Sequence, residues 1–240
     1  ITKDPVFLVY SVLIISALAQ TMIDNNIVRH TSSSPAEVLF FEDYSYYIDA
    51  LIGLYEITFD EKYLKFADEL TVFSNEKFKE ESGFYRFSTN QESLFADTLI
   101  NLQDGVTPSA NSVMNFNLFR LGHFNGNKEY LLHSKTMINN VSETIKDRVT
   151  DHLLWLNNSH NYSQKFYEIA ISGNNAIGKA EEIMEEYLPN ALVAASKSES
   201  ELYLLKDRYF KDETYIYVCV DNTCKFPVTK VSKALELMKD

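Results

Sequence analysis

Glycine and proline are scarce, with 7 and 5 in a chain of 240 residues. That excludes a collagen-like protein, an elastic linker and a fold made mainly of loops. Cys219 and Cys224 are the whole cysteine complement, too few for the disulfide framework of a small secreted domain. Positive charge is also short. The 22 Lys and Arg face 34 Asp and Glu, a net charge of -12. Such a surface repels phosphate backbones and anionic headgroups, so neither nucleic acid nor a membrane is an expected partner. What remains is a 45% hydrophobic, 23% charged composition, an ordinary globular balance that excludes disorder. A chain of this length fits one large domain or two small ones and buries ~70–75% of its unfolded surface.

The apolar run from Val6 to Ala19 has two readings. Ala17-Leu18-Ala19 resembles a signal-peptidase site, but the preceding segment carries one lysine offset by Asp4. The run is also short of the ~20 residues that span a bilayer. Asp4 as N-cap and Pro5 at the first helical position favour a buried helix, apolar nearly all round. A cytoplasmic location goes with that choice.

Residues 1 to about 150 read as helix after helix. Ile48, Leu51, Ile52, Leu54 and Tyr55 recur at helical spacing, and Tyr63, Leu64, Phe66, Ala67 and Leu70 form a second stripe. Ser109 caps a third helix carrying Val113, Phe116, Leu118, Phe119 and Leu121. Gly126-Asn127 breaks the chain before Tyr130, Leu131, Met137, Ile138 and Val141. The turn 58–60 followed by Lys62-Tyr63-Leu64 matches the turn 123–127 followed by Glu129-Tyr130-Leu131. Tyr63 and Tyr130 stand 67 residues apart, a weak repeat of αα-hairpins. The aromatic stretch 83–88 lies between them as a short strand or a loop. After about residue 165 the pattern changes to strand, helix, strand: Tyr167–Ser172, Ala176–Tyr187 and Ala191–Ala195. A further strand (Tyr215–Val220), a short return (Lys225–Val228) and a closing helix (Val231–Met238) follow. The expected division is a helical-hairpin domain, 1–162, and a small α/β domain, 163–240.

Three stretches carry a family signature: Phe41-Glu42-Asp43-Tyr44, the run Asp104-Gly105-Val106-Thr107-Pro108-Ser109-Ala110-Asn111-Ser112-Val113, and the segment Tyr217–Val228 with both cysteines. Their order and spacing resemble the C-terminal third of the spermatogenesis-associated protein 20 family of thioredoxin-domain-containing proteins. Ser11 to Ala19 resembles a helix of that family, without the Trp-Asn pair usual before it. The resemblance implies a mainly α fold, an incomplete α/α-hairpin toroid of the six-hairpin glycosidase type with a small α/β segment. That toroid is similar to those of N-acylglucosamine 2-epimerases. It also implies that the thioredoxin domain and the first part of the toroid lie outside this chain, and that a family helix between Leu18-Ala19 and Arg29 is missing from it. A partial toroid exposes apolar helix faces, so a missing segment, a partner chain or self-association is expected.

Glu42 and Asp43 at a helix start serve either as caps or as polar groups at a toroid mouth, with Tyr44 as an aromatic platform. Asp104, Ser109 and Asn111 are likewise either turn and cap residues or ligand-binding groups. Asp43 facing Asp104 would make a catalytic carboxylate pair, which glycosidases hold ~5–9.5 Å apart. Arg29 beside a Ser-rich loop joins the candidate substrate-binding set. Epimerase-type chemistry would need histidines, but His30, His123, His133, His152 and His160 sit in no matching motif and read as lone surface residues. The spacing Cys219-x4-Cys224 can place the cysteines across a hairpin, as a buried thiol pair or as a disulfide. No second Cys or His pair supports a metal site. The resemblance adds a thioredoxin-like domain as the agent of a redox-responsive bridge. The segment 173–178 lacks a phosphate-loop pattern, and Asn174 or Asn175 explains it as a helix cap. The expectation is therefore a sugar-binding or sugar-active toroid (glycoside hydrolase or epimerase-like if enzymatic), without cofactor or metal. The alternative is a redox-linked scaffold or interaction module.

Overall fold

The computed structural model describes residues 5–35, 37–89, 99–221 and 223–239. The expected cap Asp4 and the hairpin residue Asn222 lie outside the described residues. The fold is mainly α, with a small sheet near the end of the chain.

Helix α1 (Pro5–Met22) leads into a hairpin of β1 (Ile23–Asp24) and β2 (Ile27–Val28). Asn25 and Asn26 turn it in the left-handed region, which Asn tolerates better than most residues. The expectation of a buried first helix is corrected here. Phe7, Tyr10, Leu13 and Ile14 are each 57–61% exposed, because α1 meets the remainder along one side only. There Ile15 offers its carbonyl to the Tyr47 hydroxyl at 3.2 Å. Among the described residues no helix is long and apolar enough to cross a membrane.

Two hairpins follow, α2 (Phe41–Thr58) with α3 (Lys62–Phe78) and α4 (Ala110–Asn125) with α5 (Lys128–Asp147). Helices α2 and α4 pack on each other as well as on their own partners. Their burial differs accordingly. Helix α4 is buried from Asn111 to Leu121 except at Phe116, whereas α5 buries one stripe: Tyr130, Ser134, Met137, Val141 and Ile145. Amides fill the all-round contact of α4. Asn115 donates to the Ser134 carbonyl at 2.7 Å, and Asn158 donates to Asn115 at 3.0 Å. Asn117 donates to the Ser45 carbonyl at 2.9 Å.

The two hairpin turns are built alike. Helices α2 and α4 each end on a left-handed residue, Phe59 at φ 56° and Gly126 at φ 64°. At Gly126 a Cβ would also lie 2.5 Å from the Tyr203 ring, so glycine lets the later chain seat against the turn. Asn127 then caps α5 by accepting from the N–H groups of Glu129 and Tyr130. The aromatic stretch between the hairpins is a loop with isolated bridges, Phe40 to Ser88 and Lys79 to Tyr85. Helix α6 (Leu153–Ser163) was not foreseen from the sequence. It packs on α4 and α5 and buries Trp155, whose indole N–H donates to the Leu102 carbonyl at 2.8 Å.

The sheet has the order β4–β3–β5–β6: β3 (Tyr167–Ser172), β4 (Ala191–Ser196), β5 (Tyr215–Val220) and β6 (Thr223–Cys224). Strands β3 and β4 run parallel, joined by α7 (Ala176–Ile183), which stops short of the expected Tyr187. Strand β5 is antiparallel to β3. Registered neighbours share a sheet face, so Glu168, Ala170 and Ser172 stand beside Cys219, Tyr217 and Tyr215. That face meets the helical layer: Glu168 Oε1 lies 2.7 Å from His123 Nδ1 of α4. The opposite face turns to the last helix, α8 (Val231–Leu237), where the Tyr167 hydroxyl donates to the Met238 carbonyl at 2.8 Å. Gly173 ends β3 at φ 132°, and a Cβ there would meet the Glu213 carbonyl at 2.6 Å.

Candidate functional site

The first residues of α2 and α4, with the loop 99–109, form one end of the helical layer. The sequence-predicted residues gather there, but most are already hydrogen-bonded. Asp104 Oδ1 accepts from the Ser109 N–H at 2.8 Å and the Ser112 hydroxyl at 2.6 Å. Its Oδ2 accepts from the Leu154 N–H at 2.8 Å. One carboxylate thus ties the starts of α4 and α6 together. Ser109 is the N-cap of α4, accepting from the Ser112 N–H at 3.1 Å. Asn111 is 2% exposed. It accepts from the Tyr85 N–H at 2.8 Å and donates to the Tyr85 and Asn101 carbonyls, serving the aromatic loop as a strand partner would.

The aromatic platform expected at Tyr44 is corrected. Its ring is fully buried against Phe73 and Phe78, and its hydroxyl accepts from the Val28 N–H and donates to the Asn26 carbonyl. Glu42 and Asp43 are not side-chain caps either, because α2 starts at Phe41 without one. Asp43 instead faces His30, whose Nδ1 lies 3.1 Å from both carboxylate oxygens. Burial raises the Asp43 carboxyl above its ordinary value, and His30 partly opposes that.

Two clefts flank Glu42 and Tyr46, which line both. The first, about 230 Å³, opens between the two helix starts and adds Phe87, Asn101, Gln103 and Thr107, with Ser109 and Asn111 at its floor. The second, about 340 Å³, lies under α1 and adds Ile15, Leu18, Arg29, His30 and Asp43. Arg29 buries an unpartnered Nε there. Asp43 and Asp104 therefore do not share a cleft, and Asp104 lines neither. Sequence reasoning missed Asn101, Gln103 and Phe87; the available signal was the polar alternation Asn101-Leu102-Gln103 just before Asp104-Gly105.

Of the five histidines expected at the surface, His30 and His160 are exposed, and His123, His133 and His152 are corrected. His152 is fully buried, its Nδ1 2.7 Å from the Arg148 carbonyl. His133 is half-buried with Nε2 2.7 Å from the Gly83 carbonyl, and burial holds it below its ordinary value. His123 meets Glu168; His160 stays exposed on α6. Cys219 and Cys224 pair across β5 and β6 and are joined by a disulfide. Among the described residues no three His, Cys, Asp or Glu side chains form a metal-binding group.

No protein-family model matches the chain. The chain is similar to spermatogenesis-associated protein 20 of Homo sapiens, 26% identical over 214 residues, and to that of Mus musculus, 24% identical over 213 residues. Each alignment covers 83% of this chain, which spans only 27% of those relatives' length. An uncharacterized Caenorhabditis elegans protein is 31% identical over 106 residues, 44% of this chain and 14% of its own. The mammalian likeness runs through most of the length of this chain, which is thus similar to the C-terminal part of the spermatogenesis-associated protein 20 family.

Proposed function

We propose that the cleft between the starts of α2 and α4 binds a small neutral polyhydroxylated ligand of the carbohydrate class. The observation that carries this reading is the lining itself. Glu42, Asn101, Gln103 and Thr107 offer acceptors and donors beside the rings of Tyr46 and Phe87. Hydroxyl groups need both hydrogen-bonding roles, and the C–H face of a sugar packs on an aromatic ring. The pairing of α2 with α3 and α4 with α5, with the more buried helices inside, supports reading them as two repeats of an α/α toroid.

Binding is favoured over hydrolysis. Two-carboxylate chemistry needs a free pair flanking one bond. Here Asp104 has both oxygens engaged, and Asp43 opens into the neighbouring cleft. Glu42 also disfavours sugar phosphates by like charge. Thermal shift of the full chain against neutral sugars, N-acyl sugars and sugar phosphates tests the proposal. A neutral sugar at ~100 times its dissociation constant stabilises by about 2.7 kcal/mol. That gain should vanish in Glu42→Gln and Gln103→Ala. A wild-type chain unmoved by every sugar, or moved equally in both variants, overturns the assignment.

A further inference from the structure

The strand register sets three reactive groups in a row. Glu168 of β3 lies opposite Cys219 of β5, and Cys219 lies opposite Cys224 of β6. Directly opposed residues share a face, their Cβ atoms ~4.5–5.5 Å apart. The row is graded in exposure: Glu168 and Cys219 are buried, and Cys224 is exposed at the sheet edge. Arg208 reaches over it from the irregular segment before β5. Its Nη1 lies 3.6 Å from the Cys219 sulfur and its Nη2 3.4 Å from the Cys224 sulfur. The guanidinium also sits 4.8 Å over the Tyr217 ring, on the same face. His123 closes the far end, 2.7 Å from Glu168.

A disulfide that only braces the fold has little use for this arrangement. The bridge spans a sequence separation of 5, and chain-entropy stabilisation shrinks with loop length. The bonded sulfurs are neutral and accept weakly, so a guanidinium aimed at both gains most when one becomes a thiolate.

We infer that Cys219–Cys224 is a redox-active disulfide that exchanges electrons with dithiols through Cys224, with Arg208 stabilising the departing Cys219 thiolate. The thiolate of a reducing dithiol attacks the exposed Cys224 sulfur, which lines an open cleft of about 240 Å³. The Cys219–Cys224 bond breaks, and its electron pair stays on Cys219 beside Arg208. The second thiolate of the reductant then attacks its own sulfur in the mixed disulfide. Cys224 leaves as a thiolate and the reductant closes to a disulfide, a transfer of two electrons. The two protons released by the dithiol end on the cysteines or in water. A leaving thiolate of lowered pKa departs faster, which makes Arg208 a rate-setting positioning residue.

The test uses the full native chain equilibrated in reduced and oxidised dithiothreitol mixtures, then trapped with a maleimide that shifts its mass. Two thiols should appear together in one two-electron transition while circular dichroism stays native. Cys219→Ser should hold a stable mixed disulfide with glutathione at Cys224. Arg208→Gln should slow reduction about tenfold, since a neighbouring opposite charge moves a thiol by ~1–3 pKa units, and Arg208→Lys should restore part of the rate. The ultraviolet absorbance of thiolate in the reduced wild-type chain gives a reading that needs no variant. One cysteine should titrate below the ordinary value of ~8.5. A bridge that opens only on unfolding, free thiols without reductant, an unchanged rate in Arg208→Gln, or both thiols titrating at or above the ordinary value would each overturn the inference.

Discussion

The helical layer and the edge of the sheet each hold an arginine, and the two are used in opposite ways. Arg120 of α4 is 7% exposed and bonds Asp49, Glu56 at 3.3 Å and Asn117 at 2.9 Å. Its charge is spent. Arg208 bonds two neutral sulfurs and feels the Glu168 carboxylate only through space, so a new thiolate adds a directly contacting charge. The same contrast separates the candidate residues. Asp104, Ser109 and Asn111 bond the backbone around them, whereas Glu42, Gln103 and Cys224 border open clefts. A dense polar motif therefore marks architecture here, and chemistry is sought where polar capacity is left over.

Substitutions should separate the two regions by what they damage. The largest loss is expected for Arg120→Ala, which strands Glu56 near the core. Burial already raises that carboxyl, against the pull of Arg120. Breaking a fully buried pair costs about 3–5 kcal/mol, and solvent at Asp49 and Glu56, 44% and 33% exposed, holds this one to about 3 kcal/mol, read as a lower denaturation midpoint. Asp104→Ala comes next at about 2–3 kcal/mol, because two helix starts lose their acceptor. Asp104→Asn should recover part of that and leave sugar binding intact. Loss of binding in a fully folded Asp104→Asn would return Asp104 to the site and blur the contrast.

Gly126→Ala probes the junction between the regions. The new Cβ enters the left-handed region and meets the Tyr203 ring, for about 1–2 kcal/mol. A smaller effect comes from pH. Burial lowers His133 below the ordinary 6.5, so the unfolded chain takes up that proton more readily than the folded one. The stability His133 contributes is present above 6.5 and is lost as pH falls from there toward its lowered folded value. Denaturation at stepped pH should show that slope in the wild type and less of it in His133→Gln.

Much of this was legible in sequence, for local reasons. Ser109 as cap, the matched hairpin turns and the helix flanked by parallel strands follow from spacing and turn chemistry. The facing of Cys219 and Cys224 follows from the residues between them. What escaped depends on distant partners. The segment after Trp155, Leu156-Asn157-Asn158-Ser159-His160, reads as a polar break, yet α6 continues because Asn158 is buried and bonds the Ser112 carbonyl at 2.9 Å. Tyr44 looked available because nothing local shows the hairpin that occupies its hydroxyl. Glu168 sits in an ordinary strand pattern, and its partner His123 lies 45 positions away. Arg208 belongs to an irregular segment whose path periodicity does not encode.

Arg208→Gln should cost the fold least, and for that reason it discriminates best. Its contacts with the sulfurs are weak, and a cation over an aromatic ring contributes only ~0.5–1 kcal/mol. The oxidised chain should therefore keep its denaturation midpoint within about 1 kcal/mol of wild type. The reduced chain should respond more, because there the guanidinium faces a thiolate. Comparing the substitution's effect on the oxidised and reduced midpoints isolates that charge pairing from packing. A cost equal in both states would make Arg208 a structural residue, as Arg120 is. A cost confined to the reduced state would leave the helical layer as scaffold and the sheet edge as the reactive part of the molecule.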